Sequence, residues 1–275
     1  MVTLDPGHLL KLRALARRTI GAQSVTSLPG GFVTRARGQG LETADLRAYA
    51  DGDDPRHIDR NATARSGHMQ VRTFQAERDR TTLLIADFRP SMLWGTRRTL
   101  RSIAAAEALA VAGWRAVIEG GRVGMLAISA ADPVFVAPRT RDRSMVAAIG
   151  AMARCHARAM EAGAHLDPPL DATLEFAQRL APRGASVVMA TAFDTCGAGF
   201  EEAARALTRR CNLSVLRVVD AFETDAPRKS FRYCTATGRS GTAPPPGGLP
   251  TTGVDDMVTG IVTAALSPEE QLAVA

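Results

Sequence analysis

Thr82-Leu-Leu-Ile-Ala-Asp87-Phe-Arg-Pro-Ser91 is an uncharged apolar run that ends in an acid and is stopped three residues later by a proline. Its apolar residues are consecutive rather than alternate, as in a strand covered on both faces. Outward from it, helices and strands take turns. Arg97 to Glu119 reads as a long alanine-rich helix, Arg122-Val-Gly-Met-Leu-Ala-Ile128 as a second strand, and Pro133 to Val136 as a short third. Arg141 to Cys155 is helical, with Met145, Ile149 and Met152 at i, i+4 and i+7. Then come a helix over Thr173 to Leu180, the strand Ala185-Ser-Val-Val-Met-Ala190, a helix over Gly199 to Arg209, and the strand Leu213-Ser-Val-Leu-Arg-Val-Val219. The alternation predicts an α/β fold, a doubly wound and mostly parallel sheet of Rossmann type.

The flanks are read with the same rules. Over residues 8–20, Leu9, Leu12, Ala16 and Ile20 share one helical face with basic residues between them, an amphipathic helix expected to dock on the body of the protein. A glycine-rich stretch from Gly30 to Gly40 reads as loop or short strands. After Asp220 the alternation stops. Phe231 to Thr237 reads as an edge strand, Pro244 to Gly248 as a linker, and Val254 to Leu266 as a final helix. The expected organisation is an N-terminal helix and signature segment at 1–79, the α/β domain at 80–221, and a C-terminal extension at 222–275.

Composition narrows the function. The net charge is +6, but of the 34 basic residues only Lys11 and Lys229 are lysines, and aromatics are 5%. Arginines interspersed with acids, without stacking aromatics, argue against nucleic acid. The longest apolar candidate for a membrane span, Ile103 to Ile118, is broken by Glu107 and Arg115. Leu9–Leu10 is followed at once by Lys11, Arg13, Arg17 and Arg18, which is no secretory leader, so a cytoplasmic protein is expected. Cys155, Cys196, Cys211 and Cys234 form no C-x-x-C pair, leaving zinc and thioredoxin chemistry without a motif. The histidines His8, His57, His68, His156 and His165 are scattered, and hydrolase elbows, Walker loops and His-Glu-x-x-His are missing. These readings favour a protein that is not an enzyme.

In an open α/β sheet, ligands bind at the carboxyl ends of the strands, where the first strand delivers Asp87-x-Arg89-x-Ser91. This resembles the D-x-S-x-S motif of von Willebrand factor A domains, whose acid and hydroxyls help hold magnesium in a metal-ion-dependent adhesion site. Upstream run Gly38-x-Gly40-x-Glu42, Arg47-x-Tyr49, Gly52-Asp53-Asp54-x-Arg56-x-Ile58-Asp59 and Ala64-Arg65, then Arg72, Phe74 and Glu77. That string, ahead of the Asp87 strand, resembles the bacterial family catalogued as domain of unknown function 58. The likeness extends to Val218-Val-Asp220 with Glu223, a late strand with an acidic turn.

The departures from the family pattern carry information. Arg60 stands where a tryptophan is usual, and Thr43 where an aromatic often follows Glu42. Arg89 replaces the first adhesion-site serine, Pro168 falls near the expected threonine, and Ala192 takes the place of the later acid, with Asp194 two residues on. Asp87 and Ser91 are left as metal ligands, too few for a stable magnesium site. A guanidinium ~4 Å from a divalent ion is repelled by about 8 kcal/mol at an effective dielectric near 20. The site therefore reads as a degenerate adhesion site without a cofactor, in which Arg89 pairs with Asp87 and offers its remaining donors to a partner's carboxylate. Arg47, Asp53, Asp54, Arg56, Asp59 and Arg65, with Tyr49 and Gly52, are expected to form a structural network of ion pairs and capped turns that fixes the segment against the sheet.

The resemblance implies a protein-binding adaptor or assembly factor, since members of the family are similar in genetic setting to partners of MoxR-type AAA+ ATPases. The alternative is a metal-dependent, hydrolase-like enzyme using the Asp87 strand end.

Overall fold

A computed structural model of the chain describes residues 3–21, 43–50, 53–74, 80–163, 166–225, 230–234, 240–243 and 255–274. The elements begin with α1 (Pro6–Gly21), β1 (Thr43–Ala48), α2 (Arg60–Ser66) and β2 (Gln70–Phe74). There follow β3 (Thr81–Asp87), α3 (Arg101–Ile118), β4 (Arg122–Ile128), β5 (Val134–Thr140), α4 (Asp142–Ala162) and α5 (Leu170–Leu180). Next are β6 (Ser186–Thr191), α6 (Phe200–Thr208), β7 (Asn212–Val219) and α7 (Ala221–Thr224). The chain ends with β8 (Phe231–Cys234), β9 (Ser240–Ala243), β10 (Val258–Thr263) and α8 (Pro268–Val274). Contacts divide it into two units, residues 32–80 and the combination of 1–31 with 81–275.

The larger unit is built on a six-stranded sheet in the order β10-β7-β6-β3-β4-β5. Every neighbouring pair is parallel except β4 with β5. Numbered by their sequence within this sheet, the strands run 6-5-4-1-2-3, the doubly wound order. The α/β class and the mostly parallel sheet expected from the sequence are observed, with an antiparallel edge strand at β5. The order reverses between β3 and β6, and the carboxyl ends of those two strands form the switch point.

β3 is buried at all seven positions. Leu84 and Ala86 join one apolar cluster, while Leu83 and Ile85 join another. The split follows from the period of two along a strand. The first cluster is completed by Leu9, Leu12, Leu109, Trp114, Met125 and Met145 from α1, α3, β4 and α4. The second takes Leu126, Leu174, Val187 and Leu207, with α5 and α6 as its cover. Gly113 marks the tightest approach within the first layer. A Cβ there would stand 2.5 Å from Met145 Sδ and 2.9 Å from Leu84 Cδ1, so a helix carrying a larger residue would be pushed off β3 and α4.

The N-terminal helix docks as its periodicity predicts. Leu9, Leu12, Leu15 and Ala16 are buried. Trp114 Nε1 donates to the Leu9 carbonyl at 3.1 Å, and the Arg13 guanidinium lies 5.4 Å from the Trp114 ring centre. Arg13 also pairs with Asp142 at 2.8 Å, tying α1 to the start of α4.

Two expectations in the C-terminal part are corrected. The stretch read as a final helix, Val254 to Leu266, is not one over its described residues: a 3-10 turn at Asp255–Met257 leads into β10, the sixth strand of the sheet, and α8 follows it. Val258, Thr259, Ile261, Val262 and Thr263 are β-branched and Gly260 is a poor helix former, so strand pairing with β7 outweighs the helical spacing of the apolar residues. Phe231 begins a strand, but β8 pairs antiparallel with β9 in a separate two-stranded sheet rather than extending the main one. The main sheet thus draws on residues beyond the 80–221 stretch, on its C-terminal side. Among the described residues no helix is long and apolar enough to cross a membrane.

In the smaller unit β1 and β2 pair antiparallel, with α2 between them in the chain. Asp59 N-caps α2 by accepting from Ala62 N at 2.9 Å, and Gly67 ends it with φ +70. A glycine suits that left-handed position because a Cβ would strain it.

Candidate polar site at the strand edge

Asp87 ends β3, and the chain turns away through a 3-10 turn at Pro90–Met92. The next residue after the acid, Phe88, still donates from its backbone to Ile128 on β4 at 2.7 Å. The acid and Arg89 are therefore held at the sheet edge, and their side chains are 0% and 1% exposed. Arg89 Nε donates to Asp87 Oδ1 at 3.0 Å and Nη2 to Oδ2 at 2.9 Å, a bidentate pair. The Arg89 amide also donates to Oδ1 at 3.0 Å, and Thr191 Oγ1 at the end of β6 donates to Oδ2 at 2.7 Å. The other guanidinium nitrogen, Nη1, donates to the carbonyls of Pro168 at 2.6 Å and Thr195 at 2.9 Å. Burial works against the charge on Arg89, but the charge and hydrogen bonds of Asp87 outweigh it and hold the guanidinium above its ordinary value.

A second buried arginine organises the neighbouring loops. Arg101, in the first turn of α3, lies 4.4 Å from the centre of the Trp94 ring. Its Nη2 donates to the Ser91 carbonyl at 2.5 Å and to Asp194 Oδ2 at 2.9 Å, and its Nη1 to Glu223 at 3.2 Å. Glu223 in turn accepts from Asp220 N at 2.6 Å, completing a capping box at α7. Asp220 accepts from the amide and hydroxyl of Thr96, and Ser91 N donates to Asp167 Oδ1 at 3.0 Å. Asp194, its side chain 39% exposed, is pushed up by burial against the pull of Arg101, with Glu223 and Asp167 adding to the rise. For Asp220 the balance reverses, since hydrogen bonds from Thr96 and Phe222 overcome burial and lower it.

The residues present do not fit a divalent ion. A carboxylate offers about four lone-pair directions, and those of Asp87 meet four donors: Arg89 N, Arg89 Nε, Arg89 Nη2 and Thr191 Oγ1. Ser91 Oγ is buried near Asp194 with no partner in hydrogen-bond geometry. Pro168 contributes only a carbonyl, Ala192 has no side-chain ligand atom, and Asp194 is engaged by Arg101. Among the described residues no three His, Cys, Asp or Glu side chains are grouped to share a metal. Asp87 and Ser91 are thus a pair in sequence but not in coordination. The Arg89 donors expected to be left for a partner are also spent, on the Pro168 and Thr195 carbonyls. Beside the edge, Phe88, Pro90, Leu93, Ser129 and Arg158 help line a cavity of about 30 Å³, room for a water-sized guest and not for a cofactor.

Thr96, Arg101 and Thr191 were not singled out from the sequence. Thr191 had a detectable signal, since it ends its strand beside Asp87. Arg101 had none, because it reads as one more polar residue at the start of an alanine-rich helix.

Behind the edge lies His156, 1% exposed, with its ring edge-on to Phe88 at 5.6 Å and Nε2 3.2 Å from Ser102 Oγ. Burial lowers its proton affinity below the ordinary 6.5. The unfolded chain takes up a proton below that pH which the folded chain refuses. The contribution of His156 is therefore full above pH 6.5 and is lost as the pH falls, by at most about 1.4 kcal/mol per pH unit. Urea titrations at pH 7.5 and 5.5 are expected to show wild type losing more stability than His156→Gln over that interval; equal losses would mean His156 is solvated.

The signature residues meet locally. Arg47 and Asp53 form a bidentate pair at 2.7 and 2.5 Å, and Asp53 also accepts from Ala50 N at 2.9 Å. Their mutual contact raises Arg47, and Arg47 with the Ala50 amide lowers Asp53. Asp54 caps the turn at Pro55–His57 through Arg56 N, and Arg65 Nε donates to the Asn61 carbonyl of its own helix. Tyr49 N donates to the Met69 carbonyl across the hairpin. Gly52 lies outside the described residues, as do Gly38, Gly40, Glu42 and Glu77.

A family model described as Protein of unknown function DUF58 matches residues 45–231, about two thirds of the chain, from Arg47-x-Tyr49 of the signature segment through the strand edge. The chain belongs to this family. As a DUF58 protein it is similar to the uncharacterised proteins Rv1480 of Mycobacterium tuberculosis and Mb1516 of Mycobacterium bovis. Each is 32% identical over 136 residues, which is 50% of this chain and 43% of the relative. The chain thus spans less than half the length of the curated relatives it matches. Among solved structures it is similar to the conserved hypothetical protein BatB from Bacteroides thetaiotaomicron, at 16% identity and a TM-score of 0.45, covering 71% of this chain and 95% of that one. An aerotolerance-related membrane protein from Bacteroides fragilis, carrying multiple mutations to serines, is 12% identical with a TM-score of 0.44 and coverages of 70% and 94%. In this DUF58 chain the sheet order and the antiparallel third strand make the α/β unit von Willebrand factor A-like.

Proposed function

We propose that this chain is a protein-interaction adaptor or assembly factor, not an enzyme, that works in the cytoplasm with a MoxR-type AAA+ ATPase. Its contact surface is formed by the loops that Asp87, Arg89 and Ser91 hold together at the carboxyl edge of the sheet. One observation carries the reading: the polar groups of this edge are committed to one another, through Arg89 and Arg101, across four loops. A surface fixed in this way costs little ordering entropy when a partner docks. Beside it Leu166 is 80% exposed, an apolar group available for burial.

The test is a pull-down from the native host, with magnesium and a non-hydrolysable ATP analogue, comparing wild type with Leu166→Asp. The expected result is capture of an AAA+ ATPase by wild type and recovery at least about tenfold lower with the variant, for a loss of some 1.4 kcal/mol or more. The melting temperature of the variant should be unchanged. Recovery of no such ATPase by wild type, even after crosslinking, would contradict the proposal. The raised carboxyl of Asp194 favours acid–base chemistry as a second reading, for which loss of a hydrolytic activity in Asp194→Asn is the signature.

A further inference from the structure

We infer that Arg89 is a built-in replacement for the divalent cation of an adhesion site, so that this edge is held in one arrangement without an ion and offers no ion for a partner's carboxylate to complete. The saturation of Asp87 is the first ground: Arg89 supplies three of its four donors, including the backbone amide. The second is connectivity. A metal at such an edge links ligands from several loops, and the guanidinium does this directly, joining the end of β3 to the segment before α5 through Pro168 and to the segment after β6 through Thr195. Four of the five guanidinium N–H groups are thereby engaged, and a side chain 1% exposed presents nothing of the fifth to solvent.

Charge balance is the third ground. Arg89 and Arg101 together carry two formal positive charges, as one divalent ion would. They divide them between the buried Asp87 and the more accessible Asp194 and Glu223. The ion of an adhesion site can leave or exchange its waters for a partner's oxygen, whereas a guanidinium on its own backbone cannot dissociate. Docking at this edge would then be independent of divalent ions. That consequence rests on the proposed adaptor role, while the replacement itself is a property of the chain alone.

The replacement is tested on the purified protein, so it can fail while the pull-down succeeds, and the reverse. Thermal unfolding is followed for wild type, Asp87→Asn, Arg89→Met and the double variant, each with EDTA or with millimolar magnesium or manganese. Wild type is expected to melt at the same temperature in all three conditions, since an ion that binds the folded state would raise it. Each single variant should melt at least about 6 °C lower, and the double variant should lose much less than the sum of the two. A rise in the wild-type melting temperature with either metal would overturn the inference, as would additive losses in the double variant. If a single variant fails to fold, the wild-type metal comparison alone decides.

Discussion

Asp87→Ala is expected to lose about 3–5 kcal/mol of folding stability in urea denaturation. The loss comes from what remains behind more than from what is removed. With the carboxylate gone, the Arg89 side chain stays 1% exposed with only the Pro168 and Thr195 carbonyls to accept from it. A buried charge without its counter-charge is among the few sources of losses this large. Thr191 Oγ1 loses its acceptor as well. A loss below about 1 kcal/mol, the size expected of a solvent-exposed ion pair, would show that Arg89 escapes to water and that the edge is not the closed cluster described here.

Trp114→Ala is expected to cost a similar amount, about 3–5 kcal/mol, but with a different pattern of damage. The indole is 2% exposed, donates to the Leu9 carbonyl and underlies the Arg13 guanidinium. Its removal leaves a cavity between α1 and α3 and takes away the one side-chain bond from α3 to the backbone of α1 among the described residues. Hydrogen exchange should show amides of residues 6–21 losing protection by a larger factor than those of β3, whose seven positions are packed from both faces. Uniform loss of protection across both elements would mean that α1 is an integral part of the folding unit rather than a docked helix.

The central strands β3, β4 and β6 were legible because buried strands announce themselves as apolar runs. Leu83 to Ala86, Val123 to Ile128 and Val187 to Ala190 are apolar runs too short for a helix of ordinary length. β10 was not legible: its apolar residues fall at helical spacing, and only the pairing with β7, distant in sequence, shows which period is used. β1, α2 and β2 were also missed, since they lie among turn-forming residues whose hairpin is set by pairing across the intervening α2 rather than by a tight turn. At the site, Asp87, Arg89 and Ser91 were recognisable by spacing, and the pairing of Arg89 with Asp87 follows from charge and proximity. What the sequence could not contain is the geometry of acceptance. That Pro168 and Thr195 present carbonyls to the same guanidinium depends on backbone loops brought together by the sheet order. That Arg101 serves Ser91, Asp194 and Glu223 at once depends on three different connections.

An arginine, and not a metal, organises the carboxyl edge of this sheet. A crystal structure of the protein grown with manganese, with an anomalous difference map calculated at the manganese edge, tests this most directly. The predicted result is an Arg89 guanidinium seated on Asp87 and no anomalous peak within coordinating distance, about 2.0–2.6 Å for hard divalent ions, of either Asp87 oxygen. A peak ligated by Asp87 and Ser91, with Arg89 swung out to solvent, would contradict the account.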